Sequence, residues 1–229
     1  MTLEELQTGQ TLLIDKPLGW SSFQAVNKIK WDIKKAYKLK KIKVGHAGTL
    51  DPLATGLLLI CTGKSTKKIA ELQGQVKEYT GCVTLGATTP SYDMETEIDQ
   101  TFDIDHISEE MIQDATHSFI GKIQQYPPVF SALKKDGKRL YEFAREGKSV
   151  DIQPRTVEIS SFEITKIEFP KVYFKVTCSK GTYIRSLAYD FGKSLNSGGY
   201  LSVLRRTKIG DFNVDNAIDP NTFNSLLES

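Results

Sequence analysis

The sequence predicts a single α+β domain over residues 1–229. Apolar and polar residues alternate as in strands along Lys77–Leu85 and Lys171–Cys178, whereas the segment after Ser22 repeats apolar residues at helical spacing. No internal repeat and no linker divides the chain. The composition, with 39% hydrophobic and 25% charged residues, is that of an ordinary globular protein. A chain of this length buries about 70–75% of the surface that it exposes when unfolded.

The N-terminal part of the chain predicts two strands with a helix between them. Thr11–Ile14 is a short apolar strand, Ile42–Val44 is the second, and Ser22 is the expected N-cap of the helix. The apolar face of the helix consists of residues at helical spacing, namely Phe23, Val26, Ile29 and Ile33. Lys16 lies in the Pro/Gly turn before the helix. A lysine there either points at a phosphate or is merely solvated, and both interpretations stay open.

The segment Gly45–Gly56 concentrates polar chemistry. It contains three glycines, two threonines, one histidine (His46) and one aspartate (Asp51), and it lies between a lysine-rich segment and an apolar run. Loops between buried elements are a usual place for functional residues. Locally, Asp51-Pro52 is also a good helix start, with Asp as N-cap and Pro at the first helical position. The run Gly56–Cys61 fits either a buried strand or a buried helix.

The second half of the chain predicts further helices and strands, and one arginine among them needs a partner. The expected elements are a helix capped by Ser108 and running to about Phe119, strands at Val157–Phe169 and Lys171–Cys178 joined at Pro170, a helix over about Tyr183–Lys193, a strand at Leu201–Ile209, and a short helix from Asp219-Pro220. Arg185 falls in the first turn of its helix, where the helix dipole disfavours a cation. A carboxylate is its natural partner.

The charge distribution is bipolar, although the formal net charge is only +2. Residues 28–43 contain eight lysines and one acid, and residues 93–114 contain nine acids without a lysine or arginine. A basic block beside a candidate site indicates a polyanionic partner. The alternative is a solvated helix face, and the sequence does not decide between the two.

Residues Gln124–Asp151 are predicted to form an inserted surface arm. Tyr126-Pro127-Pro128 cannot be helix or central strand, and Leu140–Glu146 makes two helical turns that Gly147 ends. Basic and aromatic residues interleave along the arm: Lys134, Lys135, Lys138, Arg139 and Arg145 with Tyr126, Phe130, Tyr141 and Phe143. This mixture suits nucleic acid, because phosphates and base faces both find partners. A lid over a small substrate is the competing interpretation.

The composition disfavours several classes of protein. Three widely spaced cysteines, Cys61, Cys82 and Cys178, form no disulfide framework and fit the reducing cytoplasm. The three histidines lie at no metal-ligand spacing, so we expect no metal. Thr62–Thr66 lacks the first glycine of a P-loop, which disfavours binding of a nucleoside triphosphate. We expect no signal peptide and no membrane span, because no apolar run approaches about 18 residues.

Six motifs, taken together, resemble the bacterial TruB family, the tRNA pseudouridine-55 synthases. They occur in the order that the family has and cover nearly the whole chain: Asp15–Gly19, Gly45–Gly56 (GHAGTLDPLATG), Lys77–Tyr79, Tyr126–Ala132, Gly181–Leu187 and Leu204–Gly210. The Gly45–Gly56 motif is long and highly specific to the family.

The resemblance implies a mixed, mainly antiparallel β-sheet flanked by helices, which is the pseudouridine synthase fold, with a thumb arm at about residues 124–151. It also implies an isomerase, an intramolecular transferase that flips out uridine 55 of the tRNA T-loop, breaks its glycosidic bond and rejoins it through carbon. No redox change occurs, so no cofactor or metal is expected.

The resemblance also assigns roles to individual residues. Asp51 corresponds to the essential aspartate, and Arg185 is implied to pair with it and to keep it ionised. The remaining candidates for binding the substrate are His46, Tyr79, Tyr183 and Leu204, which are implied to line the uridine pocket, and Lys16. Tyr79 suits stacking on the flipped base, and its hydroxyl group suits transfer of the C5 proton.

The chain departs from many relatives at its C-terminal end. It ends about twenty residues after the motif Leu204-Arg-Arg-Thr, so we expect no PUA domain. We expect a monomeric cytoplasmic enzyme whose partner is the T stem-loop of tRNA. Two alternatives stay open: a tRNA-binding or tRNA-folding chaperone with secondary catalysis, and a synthase that acts on another RNA with a T-loop-like fold.

Overall fold

The structure, a computed structural model, describes residues 1–131, 133–135, 138–145 and 150–228. In the predicted arm it describes only the backbone of residues 134, 135, 138, 139, 141, 144 and 145. Gly147, which is expected to end the helix of the arm, and the basic side chains of the arm therefore lie outside the described part. The predicted arm helix is present as Leu140–Arg145.

The described residues form both α-helices and β-strands. The α-helices are α1 (Leu3–Thr8), α2 (Ser22–Ala36), α3 (Ile69–Gly74), α4 (Glu109–Ala115), α5 (Leu140–Arg145) and α6 (Ile184–Ser194). The strands are β1 (Thr11–Lys16), β2 (Val44–His46), β3 (Ala54–Thr62), β4 (Lys77–Leu85), β5 (Ala87–Thr88), β6 (Gln100–Thr101), β7 (Gly121–Gln125), β8 (Lys134–Lys135), β9 (Lys138–Arg139), β10 (Arg155–Glu168), β11 (Lys171–Cys178), β12 (Gly199–Ile209) and β13 (Phe212–Asn213). Short 3₁₀ helices lie at Gly63–Lys68, Thr116–Phe119, Val214–Asn216 and Phe223–Leu226.

The chain divides into two compact units, which we describe separately. The first comprises Met1–Tyr79 and Leu204–Ser229, and the second comprises Thr80–Val203. Strands β4 and β12 each continue from one unit into the other. The single catalytic domain over residues 1–229 stays a prediction.

Strand β3 is the centre of the first unit. It pairs antiparallel with β1 and β2 and parallel with β12, on which β13 folds back. Leu58 and Ile60 face one apolar cluster, whereas Leu57 and Leu59 face another. Burial on both faces explains why the sequence here is a continuous apolar run without alternation. The strand interpretation of this run is therefore confirmed, and the helix interpretation is wrong.

Helix α2 packs one face on β1 and β3. Its buried stripe, which includes Val26, Ile29 and Ile33, joins the cluster that contains Leu58 and Ile60. Phe23 was expected on this stripe but is 68% exposed. It precedes Ile29 by six residues, which places it about 120° away around the helix.

The N-cap of α2 is Ser21, not Ser22. The Ser21 side chain accepts a hydrogen bond from the backbone N–H of Gln24, and the Gln24 side chain accepts one from the backbone N–H of Ser21. This reciprocal pair is a capping box, which satisfies two unpaired donors at the start of a helix. Ser22 is thereby the first helical residue, and its side chain is buried.

The second unit contains a mainly antiparallel sheet with the strand order β4–β11–β10–β7. The predicted strands on either side of Pro170 are present as β10 and β11, which pair with each other antiparallel. As expected from their alternation, four residues of β11 share a buried face: Val172, Phe174, Val176 and Cys178. Phe162 stacks edge-on against Phe174 and against Phe191 of α6. The predicted class, a mixed and mainly antiparallel sheet flanked by helices, is confirmed.

Several predicted boundaries shift by a few residues. Strand β1 extends to Lys16, so this lysine ends a strand and does not lie in the following turn. Ser108 caps α4 as expected, but the α-helix ends at Ala115 and continues as a 3₁₀ helix. Asp219-Pro220 begins a turn, and the last helical turn starts only at Phe223. Of the helices in the described residues, none combines the length and apolar character that crossing a bilayer requires.

Candidate active site

The segment Gly45–Gly56 is a tight connection between two strands. Its first two residues belong to β2, and its last three open β3. Asp51 lies in between, where its backbone C=O accepts a hydrogen bond of 3.0 Å from the N–H of Ala54. The chain thus returns into a strand within three residues, which leaves no room for a helix. The interpretation of Asp51-Pro52 as a helix start is therefore wrong, and Asp51 has a half-buried side chain in a turn.

Ser22 fixes the residue immediately before Asp51. Its hydroxyl oxygen accepts a hydrogen bond of 2.8 Å from the N–H of Leu50, and the hydroxyl donates one of 3.0 Å to the C=O of Leu50. Ser22 and Leu50 are both buried, with exposed fractions of 3% each. One hydroxyl therefore satisfies both backbone groups of Leu50 and ties the turn to the first residue of α2.

Arg206 fixes the remainder of the turn from strand β12. Its guanidinium group is 1% exposed and donates from Nη2 to the C=O of Gly48 at 3.2 Å and from Nη1 to the C=O of Thr49 at 3.4 Å. Its Nε donates to the C=O of Leu57 at 2.7 Å. The backbones of β3 and β12 approach closely at this point, and only glycine fits at position 56. A Cβ atom there would lie 2.3 Å from the backbone oxygen of Arg206.

Lys16 fixes the residue that follows Asp51. Its side chain is fully buried, and Nζ donates to the carbonyl oxygens of Trp20 at 2.6 Å, Pro17 at 3.0 Å and Pro52 at 3.5 Å. Burial lowers the pKa of Lys16 to about 8; Asp51 raises this pKa, and Arg206 lowers it further. The solvated-turn interpretation is therefore wrong. The ammonium group points at loop carbonyls, and its role in binding the substrate stays a prediction.

His46 lies on β2, opposite Ile60 of β3. Burial lowers the pKa of His46, and the Arg206 guanidinium acts in the same direction, while a contact with the Gly48 backbone opposes both. The surroundings of the imidazole therefore favour its neutral form. Its buried Nδ1 atom has no hydrogen-bond partner among the described residues. A neutral ring with an unused nitrogen is able to donate or accept one further hydrogen bond.

Tyr79 and Leu204 are two buried residues of the first unit, 9% and 8% exposed. Leu204 lies beside Ala54 in the parallel pair of β12 and β3, and its C=O accepts a hydrogen bond of 3.5 Å from the hydroxyl of Thr55. This pairing places Leu204 next to the end of the Asp51 turn. Tyr79 lies on β4, and its contact with the uridine stays a prediction.

Tyr183 and Arg185 belong to the second unit, at the start of α6. Gln125 holds Tyr183 through both of its backbone groups, at 2.7 Å to N and 3.0 Å to O. Arg185 is 5% exposed; its Nη1 donates to the C=O of Phe130 at 2.8 Å, and its Nε lies 3.6 Å from a carboxylate oxygen of Asp93. The expectation that Arg185 needs a carboxylate is met within this unit, and its pairing with Asp51 stays a prediction.

Sequence reasoning missed three residues that position these groups: Ser22, Asp93 and Arg206. Ser21 and Ser22 are adjacent candidates for the N-cap, so the local sequence does not reveal the contact of Ser22 with Leu50. Asp93 opens an acidic stretch that has the pattern of a solvated surface. Arg206 gave a usable signal, since it lies two residues after Leu204 and therefore on the same buried face of its strand.

The first unit therefore brings one carboxylate and two buried cations to a single turn. Asp51 and Arg206 are both near enough to Lys16 for their charges to act on its ammonium group. The backbone on both sides of Asp51 is held by hydrogen bonds, so the carboxylate is aimed from a rigid frame. Such a group can serve as a nucleophile or as a base. Among the described residues, no three His, Cys, Asp or Glu side chains gather as metal ligands do.

Comparison with known proteins decides the family. A model described as "TruB family pseudouridylate synthase (N terminal domain)" matches residues 34–184. The chain belongs to the TruB family. A Flavobacterium johnsoniae protein named tRNA pseudouridine synthase B is 66% identical to it over 229 residues, which is 100% of both chains. A protein of the same name from Phocaeicola vulgatus is 50% identical over 220 residues, covering 96% of this chain and 94% of the relative.

Two solved structures share the fold of this TruB-family chain. One is a crystal structure of a Cbf5–Nop10–Gar1 complex, with a TM-score of 0.68 and 32% identity over 92% of this chain. The other is an H/ACA RNP bound to a substrate RNA containing 2′-deoxyuridine, with a TM-score of 0.69 and 28% identity over 96% of this chain. The chain covers 51% and 53% of the matched chains, so it spans about half their length.

Replacement of Arg206 tests whether the frame of the turn depends on its guanidinium group. We expect Arg206→Lys to lower the free energy of unfolding by about 2–4 kcal/mol, because carbonyl groups of the turn lose their donors in a buried place. The matched control is Arg205→Lys. Arg205 forms an ion pair with Asp15 at 2.7 Å, and its side chain is 37% exposed, so we expect a loss below about 1 kcal/mol. Urea unfolding of both variants measures the difference, and equal losses would contradict the anchoring role.

The pH dependence of stability tests the burial of Lys16. Because its pKa is lowered from 10.5 to about 8, the folded protein binds fewer protons than the unfolded chain between these pH values. The stability of the wild type, compared with Lys16→Met, should therefore rise with pH across that window. The slope is at most about 1.4 kcal/mol per pH unit. Lys122→Met at an exposed strand position is the control, and a flat difference curve for Lys16→Met would refute the assignment.

Proposed function

We propose that this TruB-family chain isomerises uridine to pseudouridine at position 55 in the T-loop of tRNA, with Asp51 as the reacting carboxylate. The observation that carries the proposal is the clamped turn. Ser22 holds Leu50, and both Lys16 and the N–H of Gly19 bind the C=O of Pro52. A carboxylate fixed in this way loses little freedom when it meets a substrate atom. The names of its TruB relatives support the same reaction.

The reaction breaks a C–N bond and makes a C–C bond within one nucleotide. Its electrons balance without an external oxidant or reductant, because the base leaves C1′ through N1 and returns through C5; C5 loses a proton, and N1 gains one. The residues must therefore hold the sugar, hold the detached base and move one proton. Asp51 serves as a nucleophile toward C1′ or C6 or as a base toward a sugar proton, and each of these routes uses the ionised carboxylate.

The base must first leave its stack, which costs a few kcal/mol. We propose that Tyr79 returns roughly 1–3 kcal/mol of this by stacking on the base and that Leu204 supplies an apolar wall. We propose that His46, whose surroundings favour the neutral ring, lines the uridine pocket without adding a charge. The contacts of Tyr183 and Arg185 with the uridine and with Asp51 remain predictions from the resemblance to the family.

The partner that we propose is the T stem-loop of tRNA, bound by a monomeric protein. The arm at residues 124–151 is proposed to grip it, as the thumb does in the family. A tRNA-binding chaperone with secondary catalysis is the alternative from another functional class. The clamped turn favours the enzyme, because RNA binding alone does not require a carboxylate held from both sides.

Replacement of Asp51 tests the enzyme against the chaperone. We expect Asp51→Asn to abolish pseudouridine formation, since an amide is neither a nucleophile nor a base here, while tRNA binding stays largely intact. Asp211→Asn, at an exposed position, is the control and should keep full activity. The measurement is mapping of pseudouridine in tRNA incubated with each protein. Measurable turnover by Asp51→Asn would remove this residue from the mechanism.

A second substitution separates the two roles of Tyr79. Tyr79→Phe keeps the ring and loses the hydroxyl group, so we expect tRNA affinity to stay near that of the wild type. If the hydroxyl group helps to remove the C5 proton, the rate of the chemical step should fall about 100-fold or more, as for loss of a general base. Single-turnover kinetics at saturating tRNA measure this rate. A rate equal to that of the wild type would leave Tyr79 with stacking alone.

A further inference from the structure

Helix α2 presents a second surface that the reaction at Asp51 does not use. We call it the outer face of α2, and it lies opposite the buried stripe that packs on β1 and β3. Its members, by helical position and exposure, are Phe23, Lys28, Lys30, Trp31, Lys34 and Lys35. All of them lie in the first unit, which also holds Asp51.

Trp31 is the central aromatic of this face. Its side chain is 56% exposed although it is large and apolar, and Phe23, two helical turns before it, is 68% exposed. The ammonium groups of Lys35 and Lys28 lie 4.7 Å and 6.0 Å from the centre of the Trp31 ring. These cation–π contacts hold the two lysines beside an indole that takes no part in the apolar core.

The charge of the outer face has one sign. Asp32 is the single acid among residues 22–43, and it is 4% exposed and paired with Lys28 at 2.6 Å. The charged groups that are exposed or half-buried on this segment are therefore all cationic, and Lys38, Lys40, Lys41 and Lys43 continue the charge beyond the helix. A solvated helix face typically mixes both signs, whereas a uniform cationic face with flat aromatic rings complements phosphates and bases together.

The helix also connects this face to the turn that holds Asp51. Ser22 at the start of α2 binds Leu50, the neighbour of Asp51. Trp31 follows Ser22 by nine residues, which corresponds to about 13 Å along the helix axis. This distance corresponds to a few nucleotides of one strand, if the spacing is near the roughly 3.4 Å per nucleotide of a DNA duplex strand. An RNA whose uridine lies at Asp51 therefore has further phosphates within reach of the outer face.

We propose that the outer face of α2 is a second RNA-contact surface, which binds tRNA outside the modified uridine. The lysines neutralise phosphates, and Trp31 stacks on an unpaired base. The proposal rests on the proposed function in one respect, since the RNA is the same tRNA that presents its uridine to Asp51. The outer face of α2 adds affinity for the tRNA and takes no part in the chemical step.

The lysines are tested by the salt dependence of tRNA binding. In Lys30→Gln/Lys34→Gln/Lys35→Gln we expect the slope of log K against log salt to become shallower by about 2–3, since each lost phosphate contact removes about 0.7–0.9. The affinity at moderate salt should fall about tenfold or more, while the rate at saturating tRNA stays that of the wild type. The matched control replaces three exposed lysines of the second unit, Lys122, Lys166 and Lys171, by glutamine and should change neither quantity.

The contact of Trp31 with the RNA is tested by substitution and by tryptophan fluorescence. Trp31→Ala should weaken tRNA binding about fivefold or more, whereas Trp31→Phe keeps a stacking ring and should retain most of the affinity. The chain has two tryptophans, Trp20 and Trp31. Addition of tRNA should quench the exposed one, and the quench should disappear in Trp31→Phe.

The outcomes separate this inference from the proposed function. If the wild type forms pseudouridine but the triple lysine variant keeps the wild-type affinity and salt slope, the inference is overturned and the enzyme stands. If the wild type forms none, the proposed function fails, and the binding slopes still test the surface. Quenching of Trp31 by polyglutamate or anionic vesicles, but not by tRNA, would assign the face to a different partner and overturn the inference.

Discussion

The buried guanidinium group of Arg206 is the interaction on which the candidate site depends. Removing such a charge from water costs several kcal/mol unless hydrogen bonds replace its hydration. Three backbone carbonyls, those of Gly48, Thr49 and Leu57, provide that replacement. The same hydrogen bonds satisfy carbonyl groups of an irregular turn, which would otherwise remain unpaired in a buried place. The turn and the arginine therefore stabilise each other, and the position of Asp51 follows from that pair.

The rest of the first unit supports this arrangement. Strand β3 is buried on both faces, so it provides a rigid base from which the turn projects. Helix α2 covers one of these faces, and its capping box turns Ser22 inward toward Leu50. Lys16 completes the frame from the end of β1. One helix thus carries two properties on opposite sides, an apolar stripe that stabilises the site and a cationic face with exposed aromatic side chains.

The elements of the fold were predictable to different degrees. Alternating strands such as β4 and β11, and the helical stripe of Val26, Ile29 and Ile33, follow from local periodicity, and the structure confirms them. The apolar run of β3 was ambiguous because burial on both faces removes the alternation that distinguishes a strand. The errors lie at ends of elements, as at Ser22, Lys16 and Asp219, where one or two hydrogen bonds decide the boundary and neighbouring residues are equally good candidates.

The sequence by itself determined the family and the α+β class and singled out Asp51 as the candidate reacting residue, because a long specific motif and periodic patterns are local properties of the chain. Tertiary structure alone decided what holds Asp51. Arg206 is separated from Thr49 by 157 positions, and Ser22 from Leu50 by 28. No local pattern reports such distances, since a buried cation and a surface cation are written with the same residue. Only folding distinguishes Lys16, buried against carbonyls, from Lys35, which remains exposed beside Trp31.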